Sequence, residues 1–309
     1  MRPSRGGRVP SGPWGRLKPV DLDPLDSIGL PSKGDTRLLD FRTQERYYTK
    51  IVERYMTFCS DAGERDELLR RFAALELDAP SAPPPVTLDI PKPQSLPPMS
   101  RPSTAPAASA SSNTKLLSDL MMALRKLREG IVASKRADDF AIQAYLFNIR
   151  LAVLIKNPES YHPAILHILR CLHPQRALTS VELQEVVAYL VLDTACRRRD
   201  LAEAYALRHR YKLSDSKVDM VLGALVHDDY ATYHKVKRSV DGHKARLLEF
   251  AEGDMRTHTL KCFGRTYLSV GRQFLEQSTD WTWDALRDNA GVGWQLEGDT
   301  VLIRKVKAR

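Results

Sequence analysis

No run of about 18 apolar residues occurs in the 309-residue chain, which excludes a membrane-spanning helix. The opening segment through Lys18 is rich in Pro, Gly and Arg and has no apolar stretch of the kind a secretory signal needs. Cysteine is scarce. Cys59, Cys171, Cys196 and Cys262 lie far apart and are never spaced as CxxC, so reduced, buried thiols are expected rather than a disulfide frame or a zinc site. A soluble protein of the nucleus and/or cytoplasm is the expectation from these absences.

The signatures of catalysis are missing too. There is no phosphate-binding GxxxxGK loop, no GxGxxG after a strand, no HExxH and no GxSxG. His162, His167 and His173 share one region, but their spacings of five and six put them on different helix faces, so they cannot converge on a metal without a ligand from elsewhere. The pairs Asp138/Asp139 and Asp228/Asp229 stand where helices are expected to start, and first-turn N–H groups account for acids there. No catalytic residue, metal ligand or cofactor site is assigned, and a non-enzyme is expected.

What is present divides the chain by composition. Lys and Arg number 47 against 38 Asp and Glu, a net charge of +9. The first 20 residues hold five basic residues and no acid, an excess that permits contact with nucleic acid or an acidic partner. Residues 1–36 lack periodicity and are expected to be a disordered basic start. Residues 37–78 read as a two-helix extension. Phe41, Tyr48, Ile51, Val52, Tyr55 and Phe58 recur near the helical period, with Thr43 placed to cap the first turn, and Leu68, Leu69, Phe72 and Leu75 follow Gly63. Their aromatic faces are too broad to bury on each other, so docking on the main domain or on a partner chain is expected. Residues 79–114 carry ten of the nineteen prolines and read as a linker.

Residues 115–309 contain only Pro158, Pro163 and Pro174, so long helices are permitted nearly throughout. Helices are predicted near 116–133, 138–156, 163–172, 180–197, 200–211, 214–227, 229–240, 242–251 and 254–267, with Thr179–Glu182 as a capping arrangement, Pro163 at a first-turn position and Ser214 as a start. Successive amphipathic helices with short connections suggest a degenerate helical-repeat solenoid over residues 115–260. In residues 261–309, Leu268, Val270, Phe274 and Leu275 predict one helix and Trp281 to Asp288 a second. Two short strands follow around Glu297-Gly298-Asp299. The fold class is therefore mainly α, a solenoid capped by a C-terminal winged helix with a small β-hairpin, with Trp281, Trp283 and Trp294 as the module's core.

Several segments resemble the PCI domain, the helical-repeat and winged-helix module of the proteasome lid, the COP9 signalosome and translation initiation factor three. Tyr189 to Asp193 followed by Asp200 to Tyr205 resembles one of its helix pairs, and Val221 to Tyr230 followed by Tyr233 resembles its apolar helix, acidic turn and aromatic step. Arg256, Leu260 and Tyr267 precede the module with similar spacing. Gly293-Trp294-Gln295 resembles the Gly-Trp near the end of the small-subunit branch, which comprises signalosome subunit eight, a small lid subunit and initiation factor subunit k. The middle segment is also similar to the SAC3/GANP group of nuclear mRNA-processing and export adaptors. The residue 38–77 extension and the linker depart from a minimal small subunit.

The resemblance implies a non-catalytic scaffold subunit whose partners are other PCI-domain subunits, joined wing to wing. Val301, Leu302 and Ile303 are then the expected partner-binding wing edge, though an intramolecular hairpin with the charged tail as protection explains them equally. The alternative is an RNA-binding adaptor of the SAC3/GANP kind. Its candidate contacts to nucleic acid or an acidic partner are Arg197, Arg198, Arg199, Arg287, Arg304, Lys305 and Lys307. Against groove reading, Asp280, Asp284 and Asp288 flank Arg287 and repel phosphate.

Overall fold

The computed structural model describes Asp23, residues 25–62 and residues 107–304. These residues are mainly helical. Helix α1 (Phe41–Ala62) lies along α2 (Ala107–Ala133), and α3 (Asp139–Leu154) packs on α4 (Pro158–His167), which continues as a wide i→i+5 turn over Ile168–Leu172. Helix α5 (Ser180–Leu192) ends in a similar wide turn, Asp193–Arg197, and pairs with α6 (Leu201–Arg210). Helices α7 (Ser216–Val226) and α8 (Tyr230–Lys237) pair next. The short α9 (Gly242–Leu248) returns to pack on α3 and α5.

The sequence writes these corners with a recurring device. Each helix from α3 to α9 begins on a capping side chain, in order Asp138, Asn157, Thr179, Asp200, Asp215, Asp229 and Asp241. Each such cap is worth about 1 kcal/mol. At three corners the residue just before the cap has left-handed backbone: Lys156 (φ 50°), Arg199 (φ 58°) and Asp228 (φ 53°). One residue stops a helix and the next starts another, which keeps these connections short.

Several boundaries differ from expectation. Thr179 and Glu182 do form a capping box. Pro163, however, lies inside α4, because Asn157 and Pro158 start that helix a turn earlier. Helix α7 starts on Asp215 rather than Ser214, since the carboxylate accepts from both Lys217 and Val218 N–H. Asp40, not Thr43, caps α1, accepting from Thr43 N–H at 2.9 Å. Residues 107–114, read as linker, form the first turns of α2. The second extension helix over Leu68–Leu75 lies outside the described residues, as do residues 1–22.

Residues 25–36, expected to be disordered, are packed. Leu25 is buried, and its carbonyl accepts from Tyr47 Oη (2.8 Å) and Lys126 Nζ (3.0 Å). Composition could not reveal this, because the order is imposed by long-range partners. Leu38 sits so close to α2 at Gly130 that an added Cβ there would come within 2.7 Å of Leu38 Cβ and its carbonyl oxygen. Arg136 completes the clamp. Its guanidinium stacks between Phe41 (4.4 Å) and Phe140 (4.1 Å) and donates to Phe41 O, Gln44 Oε1, Glu45 Oε1 and Asp138 Oδ2. The extension's first helix thus docks on its own chain.

A large core runs from Leu25 to Met255, and a second, small core lies at the C-terminus. Helix α10 (Glu252–Thr266) joins them, offering Met255 to the first and Leu260 and Phe263 to the second. Beyond it come β1 (Ser269–Gly271), α11 (Arg272–Thr279), α12 (Trp283–Ala290), β2 (Gln295–Glu297) and β3 (Thr300–Leu302). The strands form an antiparallel sheet in the order β1-β3-β2. The predicted helix through Leu268 and Val270 is therefore half wrong: Val270 is in a strand, and the helix begins only at Arg272. In a stretch this short the apolar pattern suits either period. Trp283 is buried in the small core, with Trp281 and Trp294 half-buried against it. No helix among the described residues is long and apolar enough to cross a membrane.

Candidate partner-binding interface

Register decides which backbone groups of the small sheet are free. Leu268 O accepts from Ile303 N (2.9 Å) and Asp299 O from Arg272 N (2.9 Å), which makes Val270 and Val301 the mutually hydrogen-bonded pair between them. The N–H and C=O groups of Ser269 and Gly271 therefore point away from β3, along an unpaired edge. On the far side Leu296 faces outward in the same way from β2.

The expected wing edge of Val301, Leu302 and Ile303 does not survive this topology. Strand β3 is central, bonded on both sides, and so offers no edge. Val301 is fully buried and Ile303 packs on the small core; Leu302 alone lies on the opposite face of the sheet. The edge strand that replaces them, β1, was hidden because its residues were read as helix. Tyr267, Leu268 and Phe274 surround it, each 42–51% exposed. Tyr267 and Phe274 both rest on Phe263, at 5.2 and 5.8 Å between ring centroids, which fixes their inner faces and leaves the outer ones open. The signal that pointed here was the spacing of Leu268, Val270 and Phe274, once taken at period two.

The basic candidates are mostly engaged within the chain. Arg197 grips the fully buried Asp193 with two bonds of 2.6 and 2.8 Å. Tyr161 donates its hydroxyl proton to the same carboxylate (2.6 Å), and His162 Nδ1 stands 3.3 Å away. The Asp193 bonds raise the Arg197 pKa, while burial, followed by the Asp193 charge, pushes the Tyr161 hydroxyl far up. This group is structural: it ties α4 to the wide turn after α5. Arg199 pairs with Asp254 at 2.7 Å, and Arg208 forms a two-pronged pair with Asp219. Only Arg198 of the triplet is exposed with no ion pair among the described residues.

Arg287 is held by Asp288 (2.9 Å) and lies 3.7 Å from Asp284, so the acids that flank it in sequence also neutralise it. Arg304 donates to Arg265 O at 2.7 Å. Lys305 and Lys307 lie outside the described residues. Lys237 is shared by Glu252 and Asp280, and Lys244 bonds Asp215 at 2.9 Å. Arg256 is sunk beneath α11, stacked 3.7 Å over Trp281 and bonded to Thr279 O. Burial lowers its pKa despite Glu252 and Asp280. It therefore fastens the small core to the helical body rather than meeting a ligand.

The histidines are scattered, His167 stacking on Tyr145 at 4.9 Å and His173 Nδ1 accepting from Leu178 N–H. Cys196 is buried, and that burial pushes its thiol up to about 12; Cys171 is exposed, against expectation. No group of three or more metal-ligating side chains assembles among the described residues. No family model matches the chain, and no curated protein matches it.

Proposed function

We propose that the chain is a non-catalytic scaffold subunit of the PCI type, joining other PCI-domain subunits in a complex of the proteasome-lid, COP9-signalosome or initiation-factor kind. One observation carries the reading. The C-terminal order helix, strand, helix, helix, strand, strand, with its last strand in the middle of the sheet, supports a winged-helix reading after the helix pairs, and it leaves the outer edge of β1 unpaired beside exposed Tyr267, Leu268 and Phe274. An edge of this kind accepts a strand from a neighbour. The RNA-adaptor reading has less support, because Arg197, Arg199, Arg208 and Arg287 already have carboxylate partners.

Ser269→Pro tests the proposal at the edge. Proline fits extended backbone and removes an N–H that β3 does not use, so the fold should stand while strand addition fails. Affinity capture of the tagged full chain followed by mass spectrometry should recover several PCI-domain proteins together, and Ser269→Pro should lose them. Recovery of none with the parent chain overturns the scaffold reading, and so does salt-sensitive RNA binding that disappears when Arg198, Lys305 and Lys307, which leave the Asp193 pair intact, are neutralised.

A further inference from the structure

A cavity lies between the segment 31–39, α2 and α4, and none of its lining residues belongs to the sheet. It encloses about 710 Å³, within the range of about 300–1,000 Å³ typical of small-ligand sites. Pro31, Leu39, Val132 and Pro163 make apolar walls, and Tyr145 lines it with its ring stacked on His167.

The charges in its lining cancel, with one exception. Asp35 is consumed by Arg37, whose guanidinium binds both carboxylate oxygens, and by Gly29 N–H at 2.6 Å. Glu129 accepts from Ser32 Oγ (2.9 Å) and stands 3.5 Å from Arg125 Nε. Among the described residues Arg128 has no carboxylate partner. Its Nη1 donates to Ser160 O at 2.9 Å, while its Nε is shut off from solvent with no acceptor among the described residues. With Nη1 on Ser160 O and Nε out of an occupant's reach, Nη2 is the Arg128 donor left to meet a carboxylate oxygen in a charge-assisted bond. His167 adds no competing charge near neutral pH, because burial and then Arg128 lower its pKa.

We propose that this cavity binds a small monocarboxylate with an apolar body, the carboxylate on Arg128 and the body against Leu39, Val132 and Pro163. The inference is independent of the scaffold reading and uses none of its residues. The test is titration of the full-length chain with phenylacetate and with phenylacetamide, which keeps the ring and removes the charge, read by calorimetry and ligand-observed NMR. Phenylacetate should bind saturably and the amide about tenfold or more weakly, as expected for loss of a charge-assisted pair. Arg128→Met should abolish the preference. Because Arg128 also bonds Ser160 O, Val132→Glu provides a second variant: Val132 is half exposed at the cavity wall, so the fold tolerates the change, and the added negative charge should weaken phenylacetate by a similar factor while sparing the amide. Equal binding of acid and amide, unchanged affinity in Val132→Glu, or no saturable phenylacetate binding would each overturn the proposal.

Discussion

Replacing Arg136 by methionine should release the N-terminal helix from the body. Its side chain is 4% exposed, yet its two carboxylate partners, Glu45 and Asp138, are about half exposed. Once freed those acids return to water, and partly exposed pairs are worth at most about 1 kcal/mol each. The larger losses are elsewhere. Gln44 is fully buried, and without Arg136 its Oε1 loses its donor, at a cost of about 1–3 kcal/mol. The two stacked faces on Phe41 and Phe140 add about 0.5–1 kcal/mol each. Against these stands the relief of no longer burying a guanidinium, so the net destabilisation should be about 3 kcal/mol. Chemical denaturation of the full chain measures it, and limited proteolysis should show α1 cut before the body. Arg136→Lys should recover only part, since an ammonium cannot occupy both ring faces and the fork at once. A loss below about 0.5 kcal/mol, with α1 no more cleavable than before, would refute the clamp, since this is the scatter of neutral surface changes.

Three other outcomes are expected. Asp193→Asn should cost about 3 kcal/mol by equilibrium unfolding, since it breaks a buried pair on Arg197, whereas Tyr161→Phe, which removes one hydroxyl from the same carboxylate, should cost only about 1 kcal/mol. Gly130→Ala should destabilise by about 1–2 kcal/mol despite alanine's better helix propensity, because its Cβ meets Leu38 backbone, and compensating Leu38→Ala should not restore it. His234 is buried, neither ring nitrogen has a hydrogen-bond partner among the described residues, and burial lowers its pKa below 6.5, with Asp280 and Glu252 opposing and Lys237 and Arg238 reinforcing. The unfolded chain then binds more protons, so stability present above pH 6.5 is lost as pH falls from 6.5 through the folded value. His234→Leu should raise stability at pH 7 by about 1 kcal/mol and by more at pH 5, leaving a residual slope from His167, which shifts the same way.

Much of the helical body could be read from residues alone, because its corners are local. Asp138, Asp200 and Asp229 announce helix starts within a few residues of where the chain turns, and Thr179 with Glu182 does so twice over. What could not be read depends on distant partners. Leu25 sits in a Gly- and Pro-rich stretch read as disordered, and its place in the core is fixed by Tyr47 and Lys126. The interface was misread for a related reason. Three residues of strand, Ser269 to Gly271, carry too few positions to separate period two from period 3.6, and that one error moved the sheet's edge from β1 to β3. The basic triplet misled differently: charge is visible in sequence, but the carboxylates that consume it, Asp193 and Asp254, are positioned by the fold.

The corrected edge also changes how an assembly contact must work. A strand added to β1 could bond only with the outward groups of Ser269 and Gly271, a handful of backbone bonds worth about 1 kcal/mol net each. A stable contact at micromolar affinity needs about 8 kcal/mol after the costs of association. The backbone edge therefore cannot supply the affinity. It sets register and polarity, while the energy has to come from covering the outer faces of Tyr267, Leu268 and Phe274, since apolar area yields about 25 cal/mol per Å² and aromatic anchors dominate such contacts. Tyr267 and Phe274 are held by Phe263 from beneath, so little ordering entropy is lost when a partner covers those two rings. Under the proposed scaffold role, strand register at β1 would discriminate among partners while the aromatic rim would supply most of the affinity.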